Sequence, residues 1–144
     1  MMKVHLRAVF AATAVCLSAS QAQSLKDKEY FASEEKHLAD SLALTSKQCG
    51  TDMTAKFDWS NVPVPAAGGT RYSPSSYCSA VLGGIRRVCA SQLGKEAVKK
   101  IKSLNCAFGA QRSIAMKDGA IDYTINYQSS NDVDFVFAYL QSNL

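Results

Sequence analysis

The chain has 144 residues, 47% of them hydrophobic and 19% charged, with 16 Lys and Arg against 12 Asp and Glu for a formal net charge of +4. That length fits one ordinary domain and can bury a real core, so it excludes a scaffold in which disulfides replace packing. Charge is distributed unevenly: residues 23–70 hold 5 basic and 7 acidic side chains, residues 71–117 hold 9 and 1, and residues 118–144 hold none and 4.

The first 22 residues read as a secretory signal peptide. Lys3, His5 and Arg7 make a basic start, Ala8 to Ala19 is an apolar run broken by Thr13 and Ser18, and Ser20-Gln21-Ala22 offers small residues for cleavage before Gln23. A membrane anchor is the competing reading, but the run is about a dozen residues where roughly 20 are needed to span a bilayer. Cys16 leaves with this segment, and Thr13-Ala14-Val15 before it makes a poor lipidation signal. Residues 23–144 are then a single domain for a secreted or periplasmic setting, with no later segment apolar and long enough to cross a membrane. The style of the leader and the lack of an Asn-x-Ser/Thr acceptor fit a bacterial source.

Along that domain, Leu25 to Gln48 reads as a long amphipathic helix with Phe31, Leu38, Leu42 and Cys49 on one stripe, stopped by Gly50. Ala55 to Trp59 alternates and reads as a short strand. Asn61 to Ser73, with Pro63, Pro65, Gly68 and Gly69, reads as an exposed loop. Ser73-Pro74 starts a second helix through Tyr77, Val81, Leu82, Ile85, Val88 and Leu93, closed by Gly94. Gly83-Gly84 inside it implies either a kink or a close-packed neighbour. Lys95 to Ser103 reads as a short third helix.

Strand signals follow at Asn105–Phe108, Arg112–Lys117 and Ala120–Tyr127, the last two joined by the turn-forming pair Asp118-Gly119. Ile121, Tyr123, Ile125 and Tyr127 alternate with polar residues, which predicts one buried and one open sheet face. Ser130-Asn131-Asp132 caps a final helix with Val133, Val136, Phe137 and Leu140 on its apolar stripe. The expectation is an α+β fold in the order α-β-α-α-β-β-β-α. It has a small antiparallel sheet of three to four strands, covered on one face by helices.

Cys49, Cys78, Cys89 and Cys106 form an even set. Cys78 and Cys89 lie on one predicted helix, roughly 16 Å apart, too far for a bond to each other. Two pairings remain. Cys49–Cys78 with Cys89–Cys106 is favoured as the more local; Cys49–Cys89 with Cys78–Cys106 is the alternative. Each bridge is expected to add about 3 kcal/mol. There is no C-x-x-C pair and no zinc-like spacing, so the role is structural and no metal is expected.

Chemistry-bearing motifs are sparse. After leader removal the lone histidine is His37, mid-helix, with no G-x-S-x-G elbow, phosphate loop or dinucleotide fingerprint beside it. No cofactor and no catalytic residue is assigned. Asp58 and Asp122 lie on predicted strands, and a carboxylate pair on one polar face is what glycoside hydrolysis requires; a small hydrolase of envelope polymers is therefore the alternative function. The leading expectation is a non-enzymatic binding or accessory protein. Its candidate site is the basic set Arg86, Arg87, Lys95, Lys99, Lys100 and Lys102 on two short helices, suited to an acidic protein or an anionic envelope component. No stacking aromatics interleave with these residues, and the secretory route also argues against intracellular nucleic acid. Trp59, Tyr72 and Tyr77 flank the Pro/Gly loop and either anchor it or line a groove.

Overall fold

The computed structural model describes residues 25–63 and 73–144; the leader, its cleavage site, Tyr72 and most of the Pro/Gly loop lie outside these residues. The elements are α1 (Leu25–Cys49), β1 (Thr54–Asp58), α2 (Pro74–Val88), α3 (Gln92–Val98), β2 (Ser103–Phe108), β3 (Ser113–Lys117), β4 (Ala120–Ile125) and α4 (Asp132–Asn143). This is the expected α+β order, with two disulfides.

The sheet runs β1-β2-β4-β3 and is mixed. An all-antiparallel sheet was expected; instead β1 pairs parallel with β2, β2 pairs parallel with β4, and only the β3–β4 hairpin is antiparallel. The hairpin turn forms as expected, with Asp118 at φ 52° and Gly119 at φ 84°, the positive values a two-residue turn of this hand needs. β4 then slots between β2 and β3. Alternation of polar and apolar residues reports one open face, and it reads the same whichever way neighbouring strands point. Strand direction was therefore not legible in that pattern.

Helices α1, α2 and α4 cover the inner face, where Leu104, Cys106, Ile121, Tyr123 and Ile125 meet Val81, Leu82, Ile85, Val136 and Leu140. Gly83-Gly84 resolves as a close approach without a kink. A Cβ on Gly84 would stand 2.7 Å from Val136 Cγ1, and one on Gly83 would stand 3.3 Å from Val133 Cγ2. Bare backbone at these positions lets α4 lie directly on α2.

The disulfides are Cys49–Cys89 and Cys78–Cys106, with Cα separations of 5.4 and 6.0 Å. The favoured local pairing was wrong, and helix direction explains why. Glu34 contacts Ser75, Thr45 contacts Arg86, and Cys49 joins Cys89. Contacts in the same order along both helices mean that α1 and α2 run side by side in one direction. β1 carries the chain back before α2 begins, so Cys78 starts α2 far from Cys49. Pairing those two would need antiparallel helices.

The second helix also ends earlier than its pattern implied. α2 stops at Val88, and Ser91 starts α3 as its N-cap, its Oγ accepting from Gly94 N at 3.0 Å. Gly94 sits where a Cβ would collide with the Val88 carbonyl. It thus fixes the fold-back and does not terminate a long helix. Leu93, expected on the core stripe of α2, is 82% exposed on α3.

At the other end of α2, Ser73 occupies the N-cap with Pro74 next, as expected, but its side chain does not cap. The buried Glu34 of α1 does so from outside the helix. Its carboxylate accepts from Ser75 N at 2.9 Å and from Ser73 Oγ at 3.0 Å. A negative group at the positive end of a helix is favoured by dipole and hydrogen bond together. The start of α4 likewise differs from expectation: Asn131 is left-handed, φ 58°, and makes no side-chain cap.

Candidate functional site

The basic residues predicted as a site do not form one patch. Arg86 is half-buried and turns toward α1, where its Nη1 donates to Thr45 Oγ1 at 2.8 Å; it is a structural link between helices. Arg87, one residue on, faces α4. It pairs with Asp134 and lies over the Phe137 ring at 4.2 Å. Lys99 pairs with Glu96 at 2.8 Å, and Lys100 Nζ donates to the Leu144 carbonyl at 2.9 Å. Lys95 is half-buried on α3, while Lys102 is exposed ahead of β2, its stem lying over Gly119.

Arg87 and Lys100 do come together, on the rim of an open groove of about 720 Å³ between the end of α2, α3 and α4. The groove is walled by Val88, Phe137, Leu140 and Leu144, with the exposed Leu93 at its margin. Glu96 is the acidic residue in its lining. The site follows from local structure: the Ser91 cap restarts the chain as α3 after α2, α4 packs on α2 at Gly84, and the trough opens where the ends of the three helices meet. What results is an apolar trough with two cations, Arg87 and Lys100, in its lining. Such a surface accepts an anionic group carried on an apolar body. Both cations already have partners, but Arg87 and Asp134 are exposed, and such a pair is worth under about 1 kcal/mol. An arriving anion can share or displace it.

The apolar half of this groove was not legible in the basic pattern. Helical spacing places Leu93 on the core stripe of α2 and Phe137 on the apolar stripe of α4. Ser91 was the available signal, since a serine three residues ahead of a glycine-containing turn marks a helix restart.

Asp58 and Asp122 do share the outer sheet face, beside a shallow cavity of about 590 Å³. Register places Asn105 next to Asp122 and Ala107 next to Asp58, on the strand between them. Two strand spacings and a two-residue offset put their Cα atoms about 12 Å apart. Asn105 Nδ2 donates to Asp122 at 2.7 Å, and Ser60 N donates to Asp58 at 3.0 Å. Hydrogen bonds from the Ser60 side chain and backbone hold the Asp58 carboxyl below the usual range. Asp58 is thereby set up as an ionised turn-former, the opposite of a proton donor.

Trp59 and Tyr77 anchor different parts of the fold. Trp59 stacks on Phe57 at 4.2 Å, packs against Phe31 and donates to Glu35; Tyr77 donates to the Tyr127 carbonyl. His37 is exposed on α1. Tyr123 is buried and donates to Asp132, which lies 3.5 Å from Arg112. Burial first, then the Asp132 bond, push the Tyr123 phenol well above its ordinary value. Among the described residues there is no cluster of three or more metal-ligating side chains, and no helix is long and apolar enough to cross a membrane.

No protein family, curated protein or solved structure matches this chain. What the protein does must therefore be argued from the groove itself.

Proposed function

We propose that the protein is a secreted or periplasmic, non-enzymatic binding or accessory protein that holds an anionic, partly apolar partner in the α2–α3–α4 groove. The observation that carries this reading is the exposed Leu93 beside a trough walled by Phe137, Leu140 and Leu144 and flanked by Arg87 and Lys100. Exposed leucines are common singly, but one placed against a continuous apolar trough is a contact surface. Two disulfides suit the oxidising compartment that the leader implies.

Amide NMR tests the reading with two probes of equal chain length and opposite charge, decanoate and decyltrimethylammonium. Decanoate is expected to move the amides of Leu93, Ala97, Phe137 and Leu144, more weakly as salt rises. Arg87→Gln with Lys100→Gln is expected to remove the preference for the anion. Equal response to both probes, or shifts centred elsewhere, would refute the reading.

A further inference from the structure

β1 is an edge strand, and its orientation is fixed by Thr54 N, which donates to the Lys102 carbonyl at 3.0 Å. In a parallel pair, alternate residues turn their backbone groups to the same neighbour. Thr54, Lys56 and Asp58 therefore face β2, while the N–H and C=O of Ala55 and Phe57 point away from the sheet. Among the described residues no strand pairs with that edge. Beside it lies a groove of about 280 Å³ bounded by Leu38 and Leu42 of α1 and by Ala55 and Phe57. The edge is short and carries Lys56, both of which limit indiscriminate pairing, but it is apolar on its inner side and has no proline or bulge.

We propose that this edge is an interface between two copies of the chain, joined as antiparallel β1 strands about a two-fold axis at Phe57. Charge selects both the occupant and the register. With the axis at Phe57, each Lys56 stands opposite Asp58 of the second copy, and Phe57 faces Phe57 as a hydrogen-bonded pair using the outward groups. With the axis at Lys56, two lysines meet directly. With it at Asp58, two aspartates meet. With it at Ala55, Asp58 meets Asp52. With it at Thr54, Lys56 meets Asp52, which lies ahead of the strand and leaves Thr54 as the one β1 residue paired with β1. Opposite charges directly across strands are favourable and like charges unfavourable, so of the five axes through β1 the one at Phe57 pairs opposite charges within the strand. On the inner side, Ala55 and Phe57 of the second copy extend the groove beside Leu38 and Leu42. The two sheets become one of eight strands, and α1 meets its counterpart across Ala39, a small and exposed residue on the flank facing the edge. The exposed Asp58 carboxylate, held by its Ser60 hydrogen bonds, presents its negative charge on the same strand face as Lys56.

Sedimentation equilibrium on the purified protein tests the proposal, with circular dichroism to confirm that each variant is folded. Wild type is expected to rise from one copy toward two between about 1 µM and about 1 mM, a weak association suited to a small interface. Lys56→Asp alone and Asp58→Lys alone each set like charges face to face at two places and are expected to weaken association about tenfold or more. The double variant restores complementarity and is expected to dimerise like wild type. Mixing the two single variants is expected to yield a heterodimer, since one copy then carries two negative and the other two positive side chains. Hydrogen exchange adds an independent reading: the Phe57 amide becomes protected as concentration rises. A wild type that stays monomeric at about 1 mM, single variants that associate as well as wild type, or a double variant that fails to recover would each overturn the proposal. So would Phe57 protection independent of concentration.

Discussion

The two halves of α2 meet α4 in opposite ways. Around Gly84 the helices touch backbone to side chain, and no atom fits between them. One turn later, at Arg87 and Val88, they part around a trough of about 720 Å³. The same two helices thus provide a rigid seam and an open surface. The difference lies in side-chain size: two glycines allow direct approach, whereas one turn on the long Arg87 side chain reaches across to Asp134 and Phe137. A seam of this kind positions the trough without belonging to it, so changes at the seam register as stability and, under the proposed function, changes at the trough register as binding.

The largest way to test that division is to cut the staple under the closed half. Replacing Cys78 and Cys106 together by alanine removes a link across 28 residues and is expected to cost about 3.5 kcal/mol in urea unfolding. Glu34→Ala leaves the buried Ser75 amide and the Ser73 hydroxyl without their acceptor and is expected to cost about 2 kcal/mol, read in the same way. Gly84→Ala forces a Cβ to within 2.7 Å of Val136; overpacking of about 1–3 kcal/mol outweighs the gain in helix propensity. Gly83→Ala meets Val133 at 3.3 Å, close enough to cancel most of that gain and no more, so a net change within about 0.5 kcal/mol is expected. If both glycines tolerated alanine equally, the seam would not be the rigid element described here. At the open half, Leu93→Ser is expected to leave the unfolding midpoint unchanged while abolishing the decanoate-induced shifts.

Alkaline pH probes the underside of the seam, where Tyr123 anchors β4 to the start of α4. The phenol ionises near pH 10 once unfolded and only at higher pH when folded. The folded state therefore holds its proton more tightly, and stability is full below about pH 10 and falls as pH rises above it. Tyr123→Phe is expected to flatten that decline in thermal unfolding between about pH 9 and 11.

Much of this architecture was legible in the sequence where the signal is local. The order of elements, the Gly50 stop, the Asp118-Gly119 turn and the open sheet face all follow from residues within one element; Gly83-Gly84 left a kink and a close neighbour both open, and the contact with α4 decides between them. What was not legible depends on direction. Strand polarity left no trace in alternation, and the parallel course of α1 and α2 left none in either helix, so the cysteine pairing came out wrong. Basic residues were visible, but which of them line the groove depended on where α2 ends; Arg86 and Arg87, adjacent in the chain, point to different helices.

The crossed pairing of Cys49 with Cys89 and Cys78 with Cys106 has a consequence for biogenesis. Thiols oxidised in the order in which they leave a translocation pore would join Cys49 to Cys78 first, since Cys89 follows later. That bond is non-native and must be exchanged before α1 and α2 can settle side by side. On the exported route proposed above, a chain that forms this bond needs thiol–disulfide exchange as well as oxidation to reach the crossed pairing. A host that supplies an oxidant without an isomerase is expected to yield a mixture in which the consecutive bond persists.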